Sequence, residues 1–469
     1  MPPILPALER GPRCASGPGR RQAVGARRLR ASLDASFAEG ATAEVFGACA
    51  GGAVLTAWAL YLDASPLVIG LLAAFPVAAQ IMQVPAAWLT QRVGARPLAI
   101  VTIGASRLVW LPLIAVPFLS MAKDTALALF ITVVALAGLC GVVGNNAWTA
   151  WMGALVPGPI RGRFFGRRMI FVSIAGTVTA LGAGLALDAF APRGFKGETL
   201  AALTAVACVA GVVSIWLLRA QQGLDRREEG PALEWADLVH AGRYPAIRSL
   251  LGYLLGWNAA VGIAAGFFTF HMLANLEMAF WLVAAHGMVV AAVRVASASA
   301  WGRLVDVFGA RPVLVVCSFG ISVVPLIWLF VTRERLWPLA VEAVIAGALW
   351  GGHGIAAFDA SIGLSPRRGR PFYLAVFATA GGLGFAVSSV LAGVLAHVLS
   401  TPLLVLGSGW VNVHVLFLLS AIGRAAAACL AMRIDEPAAR TVSELARAVL
   451  GTVARRRAPM PRSAAPQEV

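Results

Sequence analysis

Twelve apolar runs of roughly 20 residues recur along this chain, and they constrain its fold more than any single motif does. They fall at 41–62, 66–88, 97–118, 124–150, 168–190, 198–218, 249–272, 278–300, 312–332, 336–360, 372–398 and 409–432. Coiled as a helix, each is long enough to cross the ~30 Å of hydrocarbon in a bilayer. Composition agrees, since 59% of residues are hydrophobic and 13% charged, against about a quarter charged in soluble domains. Mean hydropathy is +0.80. The expected class is an all-α membrane protein with twelve transmembrane helices.

The arginines orient those helices. Connections after runs 2, 4, 6, 8 and 10 and both tails hold nearly all of them, while the opposite connections hold only Lys123, Arg193, Lys196, Arg333 and Arg335. Positive charge stays on the cytoplasmic side, so both termini are expected in the cytoplasm and the protein in the cell's inner (plasma) membrane. The chain divides into a disordered basic tail (1–38), a six-helix bundle (39–218), a cytoplasmic linker (219–248), a second six-helix bundle (249–432) and a cytoplasmic tail (433–469). In the linker, Pro231 to His240 reads as a short surface helix. In the tail, Thr441-Val442-Ser443-Glu444 is a capping-box pattern opening an amphipathic helix, expected to rest on the anionic inner leaflet. A partner-binding helix is the alternative there.

Several function classes drop out. The net charge of +16 would suit nucleic acid only if gathered on a soluble face, and no soluble domain exists to carry one. The six cysteines stand singly, without metal or disulfide spacing. No Gly-x-Ser-x-Gly, His-Glu-x-x-His or phosphate loop is present, so neither an enzyme nor a bound cofactor or metal is expected.

The two halves echo one another. Ala87-Trp88-Leu89-Thr90-Gln91-Arg92-Val93-Gly94-Ala95-Arg96-Pro97 and Trp301-Gly302-Arg303-Leu304-Val305-Asp306-Val307-Phe308-Gly309-Ala310-Arg311-Pro312 share a Gly-Ala-Arg-Pro ending, 215 residues apart in a chain of 469. After run 4 come Pro157 and Arg161-Gly162-Arg163; after run 10 come Pro366 and Arg368-Gly369-Arg370. Two loop types at matching places in each half read as a parallel repeat. On Gly302, Leu304, Asp306, Gly309 and Arg311, and on Pro157, Arg161 and Gly162, the chain resembles the major facilitator superfamily of secondary transporters. The fuller Trp151-to-Arg168 stretch resembles one bacterial branch of it. The first copy departs from the pattern, with Ala87 for the leading glycine and Gln91 for the acid.

That resemblance implies two six-helix bundles rocking around a central cavity, with no gradient-independent channel. The repeated loops then become gate elements: Gln91, Arg92, Gly94, Arg96, Arg161, Arg163, Gly302, Asp306, Gly309, Arg311, Arg368 and Arg370. Gly302 is expected to let helices pass closely, and Asp306 to accept bonds at a neighbouring helix start. The resemblance also makes runs 1, 4, 7 and 10 the cavity wall, and polar residues there are candidates for contacting cargo or protons: Glu44, Asn145, Asn146, Trp257, Asn258, His271, Glu342, Trp350 and His353. Glu342 and His353, three helical turns apart, share one face of run 10. Two readings of His353 stand, a proton-coupling group or a structural one. Arg107 and Arg294 also lie inside apolar runs, and an anionic cargo gains weight if either faces the cavity.

The expected function is a monomeric secondary transporter of a small organic solute by alternating access, with proton coupling open. A receptor or lipid-handling protein on the same fold is the alternative.

Overall fold

The computed structural model describes residues 20–222, 244–365, 370–399, 403–405, 408–436, 439–445 and 447. Among them, the helices are α1 (Arg20–Ala50), α2 (Gly52–Tyr61), α3 (Pro66–Ala78), α4 (Gln83–Val93), α5 (Ala95–Leu108), α6 (Leu111–Ala115), α7 (Lys123–Leu155), α8 (Gly158–Phe190) and α9 (Lys196–Ala220) in the first half. The second half has α10 (Pro245–Phe270), α11 (Phe280–Phe308), α12 (Ala310–Ile327), α13 (Trp337–Leu364), α14 (Arg370–Val398) and α15 (Asn412–Ala431). Eleven helices are long and apolar enough to cross a membrane, and the bent pair Pro66–Met82 and Pro85–Val93, turning by 54°, makes a twelfth. Pro85 removes a backbone donor at that bend and the 3-10 turn Ala79–Met82 tightens it.

The first crossing starts earlier than its apolar run. Helix α1 begins at Arg20, so residues 20–38 are helix and not disordered tail; residues 1–19 lie outside the described residues. Leu29, Leu33 and Phe37 stand four residues apart, a stripe concealed among arginines, and they pack on Val156, Ile160, Phe164 and Phe165. A second departure is a short antiparallel ribbon, Leu403–Val405 with Ser408–Trp410. The linker helix at 231–240 lies outside the described residues. The tail's capping box is present: Thr441 N donates to Glu444 Oε2 at 3.2 Å and Glu444 N to Thr441 Oγ1 at 3.4 Å. Leu445 is buried in the second half's core, so the first turn rests on protein; Ala446 and residues 448–469 lie outside the described residues.

The repeated turns are built alike. Gly94 and Gly309 have φ of 99° and 91°, a region costly for any residue with a Cβ, and each hands one helix directly to the next. These turns mark the proximal end, where the described chain begins and ends. The distal end carries the reversals at 62–65, 119–122, 276–279 and 331–336.

Packing differs between the ends. At the distal end a single apolar cluster draws on both halves, with Trp58, Ile69, Phe130 and Leu187 joined to Phe267, Met272, Trp328, Ala392 and Phe417. Toward the proximal end the clusters separate. One holds second-half residues such as Tyr253, Val313 and Phe377, and others hold first-half residues such as Leu98, Trp151 and Phe164. Two contacts stitch the distal end. Ser389 Oγ donates to Gly70 O at 3.0 Å, with so little room that a Cβ on Gly70 would sit 2.5 Å from Ser389 O. Asp188 accepts the Phe280 and Trp281 N–H groups at 2.7 Å each, which caps α11 from the other half.

Candidate functional site

Where the distal core ends, a cavity of about 700 Å³ opens between the halves. The first half contributes Glu44 and the small residues Gly47, Gly51 and Gly52, where the first crossing breaks between α1 and α2. The second half contributes Phe268, Trp328 and Trp350 as apolar wall, and His286, Arg294, Glu342 and Arg424 as polar groups. His286 Nε2 donates to Glu342 Oε2 at 2.7 Å. Arg424 is 2% exposed and makes no hydrogen bond or ion pair among the described residues; its buried Nε has no acceptor.

A smaller cavity, about 230 Å³, lies inside the first half beside Asn145, Trp148, Arg107 and Arg168, and Glu44 lines both spaces. Its charges centre on Glu39. Oε2 of Glu39 accepts from Arg168 Nη2 at 2.9 Å, Oε1 accepts from Ser214 Oγ at 3.1 Å, and Arg107 Nη2 lies 3.8 Å from Oε1. Arg168 also lies 4.5 Å over the Trp148 ring and donates from Nε to Ser36 O. Arg107 therefore points inward and finds an acid.

The other sequence candidates scatter. Glu44, Glu342 and Trp350 line the central cavity and Asn145 the smaller one, whereas Asn146 lines neither. His353 and Glu342 do not form one cluster. His353 is buried behind the wall, with Nε2 2.7 Å from Tyr253 Oη and its ring stacked on Trp257 at 4.7 Å. Tyr253 Oη is in turn 2.9 Å from Ser318 Oγ. Trp257 is buried with them. Asn258 donates to Leu254 O at 2.8 Å and fills the space left at Gly381 of α14. His271 sits in the distal core with Nδ1 accepting from Asn275 at 3.0 Å.

At the proximal turns, Arg92 lies 4.1 Å over the Trp88 ring, Arg96 donates to Arg219 O at 2.8 Å, and Gln91 is exposed. In the second half the acceptor at the helix start is Glu436, not Asp306. Its carboxylate accepts the Ala310 and Arg311 N–H groups at 3.1 and 2.7 Å, while Asp306 is exposed with no hydrogen bond or ion pair among the described residues. Glu436 has the right of way because the segment after α15 folds back on the turn, with Arg440 N donating to Phe308 O at 2.8 Å. Gly302 permits no close helix approach, since a Cβ there would meet nothing within 4 Å. The side chains of Arg161, Arg163 and Arg370, and all of Arg368, lie outside the described residues.

Glu39, Asp188, His286, Arg424 and Glu436 were not singled out from sequence. The signal existed for four of them, an ionisable group within or at the edge of an apolar run: Asp188, His286 and Arg424 lie on runs not expected to line the cavity, and Glu39 stands just ahead of run 1.

Two packed helical halves that share one core at one end, hold separate cores at the other and enclose an apolar-walled cavity with a few charged groups define a transporter-type membrane protein. The chain belongs to the Major Facilitator Superfamily, whose family model matches residues 41–299. Solved structures share the fold at low identity. The nucleoside transporter NupG aligns with a TM-score of 0.64 and 12% identity, over 87% of this chain and 100% of that one. A D-xylose–proton symporter aligns at 0.62 and 13%, over 88% and 98%. The inward-open xylose transporter XylE from E. coli aligns at 0.59 and 14%, over 91% and 99%. No curated protein sequence matches significantly.

Proposed function

We propose that this chain is a secondary active transporter that carries a small organic solute through the central cavity by alternating access. The observation that carries the reading is the difference between the ends: one shared core at the distal end, separate cores at the proximal end, and the cavity between them. Such a form holds one gate shut while the other stands open. Rocking the halves would exchange the two, at a cost met by differential solute contacts. A cavity of about 700 Å³ suits a small organic molecule, given the usual range of about 300–1,000 Å³ for ligand pockets.

In this reading the proximal end faces the cytoplasm of an inner membrane, as the arginine distribution requires, and the protein works as a monomer. The proximal turns, with Gln91, Arg92, Gly94, Arg96, Gly302, Asp306, Gly309 and Arg311 together with Arg161, Arg163, Arg368 and Arg370, form the inner gate. An unpaired Asp306 fits a gate that is open. Protons enter the cycle at the His286–Glu342 pair, which faces the cavity, and His353 holds the wall through Tyr253. Purified protein in proteoliposomes tests the reading: counterflow of a labelled solute identified by ligand-dependent melting shifts supports it, and binding without any flux would point to a receptor.

A further inference from the structure

We propose that the central cavity takes a small organic anion, whose oxyanion group, a carboxylate or phosphate ester, lies against Arg424 and Arg294 while its apolar or aromatic body lies along Trp350. The proposal names the solute class of the carrier reading above, and rests on it for translocation but not for binding.

Arg424 is the strongest sign. An arginine within a membrane is costly unless something compensates its charge. Arg168 has Glu39 for that purpose. Arg424, on α15, is almost fully buried, faces the cavity, and makes no hydrogen bond or ion pair among the described residues. Glu342 attracts it only from beyond ion-pair distance and is held by His286 at 2.7 Å. Arg294, on α11, lines the same cavity, and its guanidinium also has no partner among the described residues. A carboxylate or phosphate presents paired oxygens that match the guanidinium fork.

Charge balance points the same way. On the first-half side, Glu39 and Glu44 offset Arg107 and Arg168. On the second-half side, Arg294 and Arg424 exceed Glu342 by one charge with His286 neutral and by two with it protonated. The surplus is positive in either state and is confined to the wall where Trp350 stands. A cationic solute would meet repulsion there, and a neutral one would leave the surplus positive charge unmatched.

A matched set of aryl solutes tests this on full-length protein in lipid nanodiscs by calorimetric titration: benzoate, phenyl phosphate, neutral benzamide and cationic benzylamine. Wild type should bind at least one of the two anions about tenfold or more tightly than benzamide or benzylamine, the gain expected from a charge-assisted bond. Arg424→Gln and Arg294→Gln should each remove about tenfold of that preference, and Arg424→Lys should retain part of it. If Arg424→Gln does not fold, the other two variants decide. The order of benzoate and phenyl phosphate distinguishes a carboxylate from a phosphate source. Equal or tighter binding of benzamide or benzylamine, absence of anion binding, or unchanged preference in the glutamine variants would overturn the proposal. Counterflow separates the two claims: anion binding without flux leaves the site and removes the carrier, whereas flux of benzamide or benzylamine with no anion preference leaves the carrier and removes the site.

Discussion

Glu39 Oε2 and Arg168 Nη2 meet at 2.9 Å inside the first bundle, joining α1 to α8 where both are surrounded by apolar helix. The same carboxylate serves Ser214 on α9 and faces Arg107 on α5, so one acid ties four helices. Removing it strands two guanidinium groups. Glu39→Gln should lower unfolding free energy by about 3 kcal/mol, the scale for breaking a buried pair. Thermal unfolding in detergent measures this, and adding Arg168→Gln should cost less than the sum of the single changes.

The Glu436 carboxylate at the start of α12 should matter for stability where Asp306 does not. Glu436→Gln weakens two charge-assisted bonds at a helix N-terminus, worth about 1–2 kcal/mol. Its melting temperature should fall and amide exchange at Ala310 and Arg311 should accelerate. Asp306→Asn should leave melting unchanged but slow transport more than Gln91→Ala does; the opposite ranking would remove Asp306 from the gate.

Asp188 crosses between halves to cap α11 at the closed end. Asp188→Asn should weaken that end by about 1 kcal/mol, shifting the population toward the form open distally by severalfold. Cysteine labelling at distal cavity positions should speed up, and unchanged labelling would show that the cap does not hold the end shut.

Coupling should divide between the two histidines. His286→Ala should abolish the dependence of flux on a pH gradient in vesicles, because the cavity-facing partner of Glu342 is gone. His353→Ala should chiefly lower melting temperature, by leaving the Tyr253 hydroxyl with Ser318 as its one remaining hydrogen-bond partner and opening a gap against Trp257. Loss of gradient dependence in His353→Ala alone would reverse the assignment.

Apolar run length determined most of what was legible in advance. Apart from the early start of the first, the eleven crossings and the bent pair among the described residues lie where the runs lie, and the repeated Gly-Ala-Arg-Pro turns share a backbone conformation because only glycine takes that φ readily. The start of α1 was hidden because Leu29, Leu33 and Phe37 stand among polar and small residues (Arg27, Arg28, Arg30, Ser32, Asp34, Ser36), which lowers mean hydropathy while leaving a continuous buried face. The site was less legible. Glu342 and Trp350 were found by assuming which helices line the cavity, and the same assumption passed over His286 and Arg424 on α11 and α15. Glu436 acts across 125 residues of chain, a distance over which no local pattern carries information.

The central claim is reciprocal opening of the two ends. Spin labels at Val93→Cys and Val307→Cys report on the proximal end, and at Ser120→Cys and Glu334→Cys on the distal end, all at exposed positions. Pulsed electron resonance distances in nanodiscs should show two populations at each end, with added anion shifting the long proximal and short distal distances together toward the opposite pair. A single distance at both ends, unmoved by a bound solute, would contradict alternating access.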